Sequence, residues 1–294
     1  MKLPRKYKGI ICIIISAFCF AVMAVFVRLS GDLPIFQKTF FRNFVALFFA
    51  IGVLKKQHLP FRPKNKSMLQ ALIVRALAGT VGLFGNFYAI DHLVLSDASM
   101  LNKMSPFFAI VFSYIFLKEK LTPFQILAVS VAFGGSLLII KPSFSNVSLL
   151  PAAAGFLGGM GAGLAYACVR YLGSKGENGP FIVAFFSAFS CLFCLPMLMI
   201  SYQPMTVTQL LCLLGAGAAA AGGQFSITAA YSCAPAREIS IYDYSQLIFS
   251  TTLGFWLFGD VPDVWSFLGY AIIISMALAN FIYNNKRHAK ESDQ

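Results

Sequence analysis

Uninterrupted apolar blocks of roughly 18 to 23 residues recur along the whole chain, close to the ~20 residues at 1.5 Å rise that a helix needs to cross a ~30 Å hydrocarbon core. Hydrophobic residues make up 58% of the 294 and charged residues only 12%, too little polar surface for a soluble domain of this length. Blocks of about ten residues alternating in polarity, the mark of a membrane barrel, do not occur. The spanning elements are therefore helices, the other structure that satisfies its own backbone in lipid. The pattern places them at residues 9–28, 34–54, 68–90, 97–117, 123–140, 150–172, 180–201, 208–231, 239–258 and 264–283. The expected fold class is an all-α polytopic membrane protein with ten transmembrane helices. The basic lead Lys2, Arg5, Lys6 and Lys8 also suits a secretory signal. The run from Gly9 to Val27 is long and lacks a clear small-x-small cleavage site, so it is read as the first span.

A net charge of +12 would suggest nucleic acid in a soluble protein, but here the basic residues collect between apolar blocks instead of forming a stripe. They carry topology instead. Seventeen Lys and Arg fall on the side shared by the termini, and three (Arg28, Lys38 and Lys141) on the other. That bias predicts both termini in the cytoplasm. Turn chemistry at Gly31–Asp32–Leu33–Pro34, Leu121–Thr122–Pro123, Lys141–Pro142–Ser143, Glu177–Asn178–Gly179–Pro180 and Asp260–Val261–Pro262–Asp263 marks short connections.

The stretch from Tyr88 through Lys118–Glu119 to Gly134–Gly135 resembles that from Tyr231 through Gly259–Asp260 into the last span, which suggests an internal repeat. Two five-helix halves, residues 1–145 and 146–285, with a tail at 286–294, follow from this reading. An odd number of spans per half makes the copies point oppositely, and such repeats hold a substrate near the midplane between them. Small residues at helical spacing (Gly79, Gly82 and Gly85; Gly155, Gly159 and Gly163; Gly215, Ala219 and Gly223) read as packing faces of interior spans three, six and eight. The seven cysteines are dispersed within apolar blocks, and the Cys191-x-x-Cys194 pair has no second pair or histidine to complete a metal site. They read as small buried apolar residues.

Several short motifs together carry a family resemblance. They are Phe41–Arg42–Asn43, Arg75–Ala76–Leu77–Ala78–Gly79, Tyr88–Ala89–Ile90, Ser105–Pro106–Phe107–Phe108 with Leu117–Lys118–Glu119–Lys120, Tyr242–Asp243–Tyr244–Ser245–Gln246 and Phe258–Gly259–Asp260. By these the chain resembles the EamA-like permeases of the drug/metabolite transporter superfamily over almost its whole length. The resemblance implies a 5+5 inverted fold and transport of a metabolite, but it names no cargo, because one fold serves unrelated substrates. Gly259–Asp260 stands where that family usually has Gly-Glu, a mild departure.

Ionisable residues within spans point to function, since each costs at least ~2.5 kcal/mol at a helix centre. Four stand out: Arg42, Arg75, Lys103 and Asp243. Counting along continuous helices puts Arg42 about 12 Å and Lys103 about 9 Å in from the outer boundary, and Arg75 about 11 Å and Asp243 about 6 Å in from the inner one. On that count Asp243 and Arg75 share a level and pair, while Arg42 or Lys103 serves as counter-ion to a carboxylate or phosphate. Pro106 cannot donate to the Asn102 carbonyl, which is thereby freed beside Lys103. Asp243, Gln246 and Ser250 share one helical face, with Tyr244 beside it. Asn86, Tyr88, Tyr166, Gln224 and Tyr231 either line a cavity or bond a neighbouring helix. The candidate substrate site is thus Arg42, Arg75, Asn86, Asn102, Lys103, Tyr166, Gln224, Asp243, Tyr244 and Gln246. Asp243 is also the candidate proton-coupling group, because burial disfavours the charged carboxylate.

The sequence holds no metal-ligand spacing among His58, His92 and His288, no phosphate-binding loop and no acid–base pair, so neither an enzyme nor a cofactor is expected. A secondary-active carrier of a small anionic or zwitterionic metabolite such as an amino acid is the expected function. Its partners are that substrate and the bilayer, with nucleic acid excluded and proton coupling open. A channel or a non-transporting scaffold is the alternative. No oligomeric state is implied.

Overall fold

The computed structural model describes residues 4–93, 95–141, 149–259 and 261–292, and among these it is helical with no strand. In order come α1 (Arg5–Leu29), α2 (Ile35–Lys56), α3 (Lys66–His92), α4 (Leu95–Asn102), α5 (Ser105–Leu117), α6 (Pro123–Ile140) and α7 (Leu149–Ser174). The order continues with α8 (Gly179–Ser201), α9 (Val207–Cys233), α10 (Ala236–Ile239), a 3₁₀ turn (Ser240–Tyr244), α11 (Ser245–Phe258) and α12 (Val264–Ser292). Nine stretches among the described residues are long and apolar enough to cross a membrane. The expected ninth span is the exception, because α10, the 3₁₀ turn and α11 share its length. Large apolar side chains such as Phe48, Leu192 and Trp256 stand on the outer surface, where a soluble protein would not tolerate them. The architecture is that of a polytopic α-helical membrane protein.

Local chemistry sets the ends of these helices. Thr122 and Thr206 each accept a hydrogen bond from the backbone N–H of Gln125 and Gln209, whose side chains reach back to the cap, a reciprocal arrangement that satisfies two orphan donors. Asn65 accepts from Met68 N at 2.9 Å. Gly259 and the non-glycine residues Lys118 and Lys141 turn left-handed to close their helices. Lys6 Nζ donates to Asn285 Oδ1 at 2.8 Å, and the Tyr7 and Phe281 rings lie 5.9 Å apart. The start of α1 and the end of α12 therefore share one end of the bundle. At the other end Lys141 Nζ lies 2.5 Å from Asp263 Oδ2. That hydrogen bond, with one from the Ser266 N–H, draws the Asp263 carboxyl down to about 2, so the pair is lost only as pH falls toward that value.

Three elements depart from their expected bounds. α12 runs past the expected end of span ten at residue 283 and through the tail to Ser292, because loss of hydrophobicity ends a span without ending a helix. His92, beyond the expected end of span three at residue 90, lies in the last turn of α3, with its ring stacked 4.1 Å from that of Tyr88. Span four is not one helix: it breaks between α4 and α5. Pro142, Ser143 and Asp260 of the expected turns, and the boundary at residues 145 and 146, lie outside the described residues.

Glycine makes the interior possible. In lipid, helices associate through close packing, and α3 meets α7 backbone to backbone. A Cβ on Gly82 would lie 2.9 Å from Ala162 N, one on Gly85 2.4 Å from Ala154 O, and one on Gly161 2.6 Å from Ala78 O. The other side of α7 receives the broken span: a Cβ on Gly159 would come within 2.3 Å of Leu101 O, and one on Gly163 within 2.4 Å of Phe108 Cβ. Gly223 of α9 packs in the same way on Phe20 of α1. These stripes mark packing faces as expected, but α8, which has no such stripe, is buried as fully as α7. All seven cysteines are free thiols.

Replacing Gly85 or Gly159 by Ala forces backbone apart and should cost about 1–3 kcal/mol each. Gly52→Ala and Gly134→Ala, which meet nothing within 4 Å, should cost little. Thermal unfolding in detergent compares the four; equal melting temperatures would contradict this packing.

Candidate functional site

Where span four breaks, the backbone loses its regular ladder. Phe107 N turns to Met104 O at 3.1 Å, which leaves the Lys103 carbonyl without its helical donor. The Tyr244 hydroxyl replaces it, donating to Lys103 O at 3.2 Å. Tyr244 belongs to the 3₁₀ turn of span nine, so the interruptions in the two spans face each other and satisfy one another. Freed carbonyls at membrane depth require such a partner. The accepting group is the Lys103 carbonyl; the expectation rested on that of Asn102.

The same junction holds the buried charges. Lys103 Nζ donates to Asp243 Oδ2 at 3.3 Å and to Gln246 Oε1 at 2.7 Å. Lys103 and Asp243 are both nearly inaccessible, at 6% and 5% exposure. Asp243 therefore pairs with Lys103 and not with Arg75, whose Nη2 donates to Gln224 Oε1 at 3.2 Å. The depth count failed because it assumed continuous helices starting at residues 97 and 239. Span four starts at Leu95, and span nine at Ala236 with a 3₁₀ stretch that rises about 2.0 Å per residue. Both changes carry Lys103 and Asp243 inward from opposite ends until they meet.

Beside this junction lies a cavity of about 200 Å³. Of the ten candidate residues, Arg42, Arg75, Asn86, Asn102, Tyr166, Gln224 and Gln246 line it. Lys103, Asp243 and Tyr244 do not; they stand behind Gln246 and Asn102, so Lys103 is already neutralised and is not a free counter-ion. Of the other candidates, Tyr231 is buried, stacks 5.1 Å from Tyr166 and shares a 3.2 Å hydrogen bond with Ser240. Tyr88 is exposed on α3. Arg28 is exposed, with its guanidinium 4.0 Å from the Phe258 ring centroid.

Two arginines dominate the cavity wall. The Arg75 guanidinium lies 3.7 Å over the Phe186 ring, and that of Arg42 lies 5.8 Å from the Phe20 ring, within the range of cation–π attraction. A Cβ on Gly79 would lie 2.9 Å from both Arg75 Nη1 and Phe186 Cε2, so the glycine one turn past Arg75 makes room for the stack. Ring faces accept no in-plane hydrogen bond. Buried Arg42 Nε, Arg75 Nε and Arg75 Nη1 have no partner. Sequence reasoning missed Phe20, Met23 and Phe186 in the lining, since nothing local separates two cavity rings from the other 29 of 31 phenylalanines. The four His, Cys, Asp and Glu types form no metal-binding cluster among the described residues.

Comparison with known proteins points to a non-enzymatic membrane transporter. The EamA-like transporter family model matches residues 7–141. The pseudopaline exporter CntI of Pseudomonas aeruginosa is 30% identical over 282 residues, 95% of this chain and 98% of the exporter. The riboflavin transporter of Brucella anthropi is 28% identical over 70% of this chain and 74% of its own length. Human solute carrier family 35 member G1 is 25% identical over 93% of this chain and 79% of its own. A solved crystal structure with 13% sequence identity superposes with a TM-score of 0.81, covering 95% of this chain and 98% of the other, which speaks for the fold. The chain belongs to the EamA-like transporter family of the drug/metabolite transporter superfamily. It is a multi-pass membrane protein that carries a small-molecule substrate.

Removing one member of the Lys103–Asp243 pair strands a buried charge, a loss of about 3–5 kcal/mol. Lys103→Gln and Asp243→Asn should each lower the melting temperature, and the double variant should fall by less than the two losses added. Additive losses would mean that the two side chains do not interact.

Proposed function

We propose that this protein is a secondary-active carrier of a small anionic or zwitterionic metabolite, working by alternating access in a bacterial plasma membrane. One observation carries the reading: Arg42 and Arg75 face one cavity whose described lining residues include no Asp or Glu. The buried Asp243 carboxylate is committed to Lys103. An acidic substrate supplies the missing acceptors, and a wall of amides from Asn86, Asn102, Gln224 and Gln246 suits the polar remainder of a metabolite.

The two halves, residues 1–145 and 146–285, act in this proposal as inverted copies. Support comes from the interruption of the fourth and ninth spans, equivalent members of two five-helix sets. The extensive packing of α3 on α7 and of α1 on α9 is what exchange of the two halves would produce. Both termini face the cytoplasm here, in keeping with their shared end and the basic residues gathered there. At that end the connection after α5 is tied to the second half, with Arg170 Nε 2.8 Å from Glu119 Oε1 and Arg237 bonded to Lys120 O. The cavity meanwhile reaches Met23 and Asn86, toward the opposite end. These features fit a carrier poised away from the cytoplasm.

Asp243 is the proposed proton site. Protonation would remove the negative partner of Lys103 and loosen the contact between spans four and nine, which links proton binding to rearrangement. The exporter among the relatives makes efflux the direction to measure first. Flux of labelled acidic and zwitterionic metabolites into vesicles tests the carrier. It should saturate with concentration and fall at least tenfold in Arg75→Gln, while the variant remains folded. Non-saturating flux would favour a channel, and no flux would favour a scaffold. Substrate-driven proton movement should vanish in Asp243→Asn; its persistence would remove Asp243 from the coupling step.

A further inference from the structure

We infer that the cavity takes a substrate bearing two separated acid groups, one for Arg42 and one for Arg75. The inference rests on the anion-carrier reading above and adds the number and spacing of the charges. Two fixed guanidinium charges line the cavity without a carboxylate among the described lining residues. A monoacid would leave one of them uncompensated in a low-dielectric site. Asp243 does not relieve this, because Lys103 holds it at 3.3 Å.

Hydrogen bonding leads to the same number. Each guanidinium has five N–H donors. Arg75 gives one nitrogen to Gln224, and its Nε and Nη1 remain buried and unpartnered, as does Arg42 Nε. An unsatisfied buried donor costs more than an ordinary hydrogen bond returns, so both arginines, not one, present unmet demand. Both residues line the cavity, and carboxylates pair with a guanidinium through charge-assisted, often bidentate bonds.

The spacing follows from how each arginine is held. Arg42 stands on α2 against Phe20 of α1, whereas Arg75 stands on α3 against Phe186 of α8. Separate helices and separate rings hold the two heads, so two carboxylates on a short spacer can give each its own partner. The amide side chains of Asn102 and Gln246, also in the lining, are left for the polar groups of the spacer.

Binding to the full-length protein in lipid nanodiscs tests this, using linear dicarboxylates from malonate to adipate, their monoamides and inorganic phosphate. The tightest dicarboxylate should bind at least tenfold better than its own monoamide and better than phosphate. Arg42→Gln should abolish that preference, and Arg42→Lys should keep part of it. A monoamide equal to its dicarboxylate, or phosphate binding tightest, would overturn the two-acid inference while leaving an anion carrier intact. Failure of every anion to bind, with a neutral or cationic metabolite binding instead, would overturn the anion reading as well.

Discussion

An ammonium and a carboxylate buried together in the middle of a membrane protein set the terms for everything around them. Lys103 and Asp243 are each costly to bury alone, and their 3.3 Å contact with the added bond to Gln246 is what makes their burial tolerable. The pair forms only because two spans stop being regular helices at the same level. A regular span four would return the Lys103 carbonyl to its own ladder and remove the acceptor that Tyr244 bonds. Charge pairing and backbone satisfaction are therefore one junction, and neither survives without the other.

That junction needs a support that lets backbone come close. α7 supplies it, because its glycines admit Leu101 O on one side and the backbone of α3 on the other. The contact with α3 in turn places Arg75, and Gly79 clears the space in which its guanidinium lies on Phe186. Small residues, which carry no chemistry, thus decide where the charged ones stand. In water such a seam would be optional, since hydrophobic burial drives helices together; in lipid it is the main source of contact.

How much of this could be read beforehand divides along a physical line. Hydrophobic block length locates spans well, because a fixed membrane thickness sets it. Eight of the ten expected spans are single long helices and the other two are interrupted, while seven of the ten candidate residues, chosen as polar groups inside spans, line the cavity. What failed was depth. Counting residues at a constant rise has no knowledge of helix breaks, so it paired Asp243 with Arg75, although Pro106 had already marked the weak point in span four. The aromatic backing of the arginines was illegible for a different reason: Phe20 and Phe186 are chosen by three-dimensional proximity, and their sequence neighbourhoods look like any lipid-facing turn.

The contrast between the two kinds of buried charge separates architecture from work. Lys103 is answered within the protein, by Asp243, Gln246 and the helix break itself. Arg42 and Arg75 are held by rings that attract the cation without accepting its in-plane protons, and apart from the Arg75 bond to Gln224, Arg42 Nε, Arg75 Nε and Arg75 Nη1 stay unanswered. A purely structural arginine would be expected to find a carboxylate or carbonyl, because leaving a buried donor unmet costs about 1–3 kcal/mol. In the anion carrier proposed above, that cost would raise the free energy of the empty site, and an acidic ligand would bind by relieving it. A ligand held by a few charge-assisted bonds, and not by deep apolar enclosure, could also leave when the proposed halves move and water re-enters.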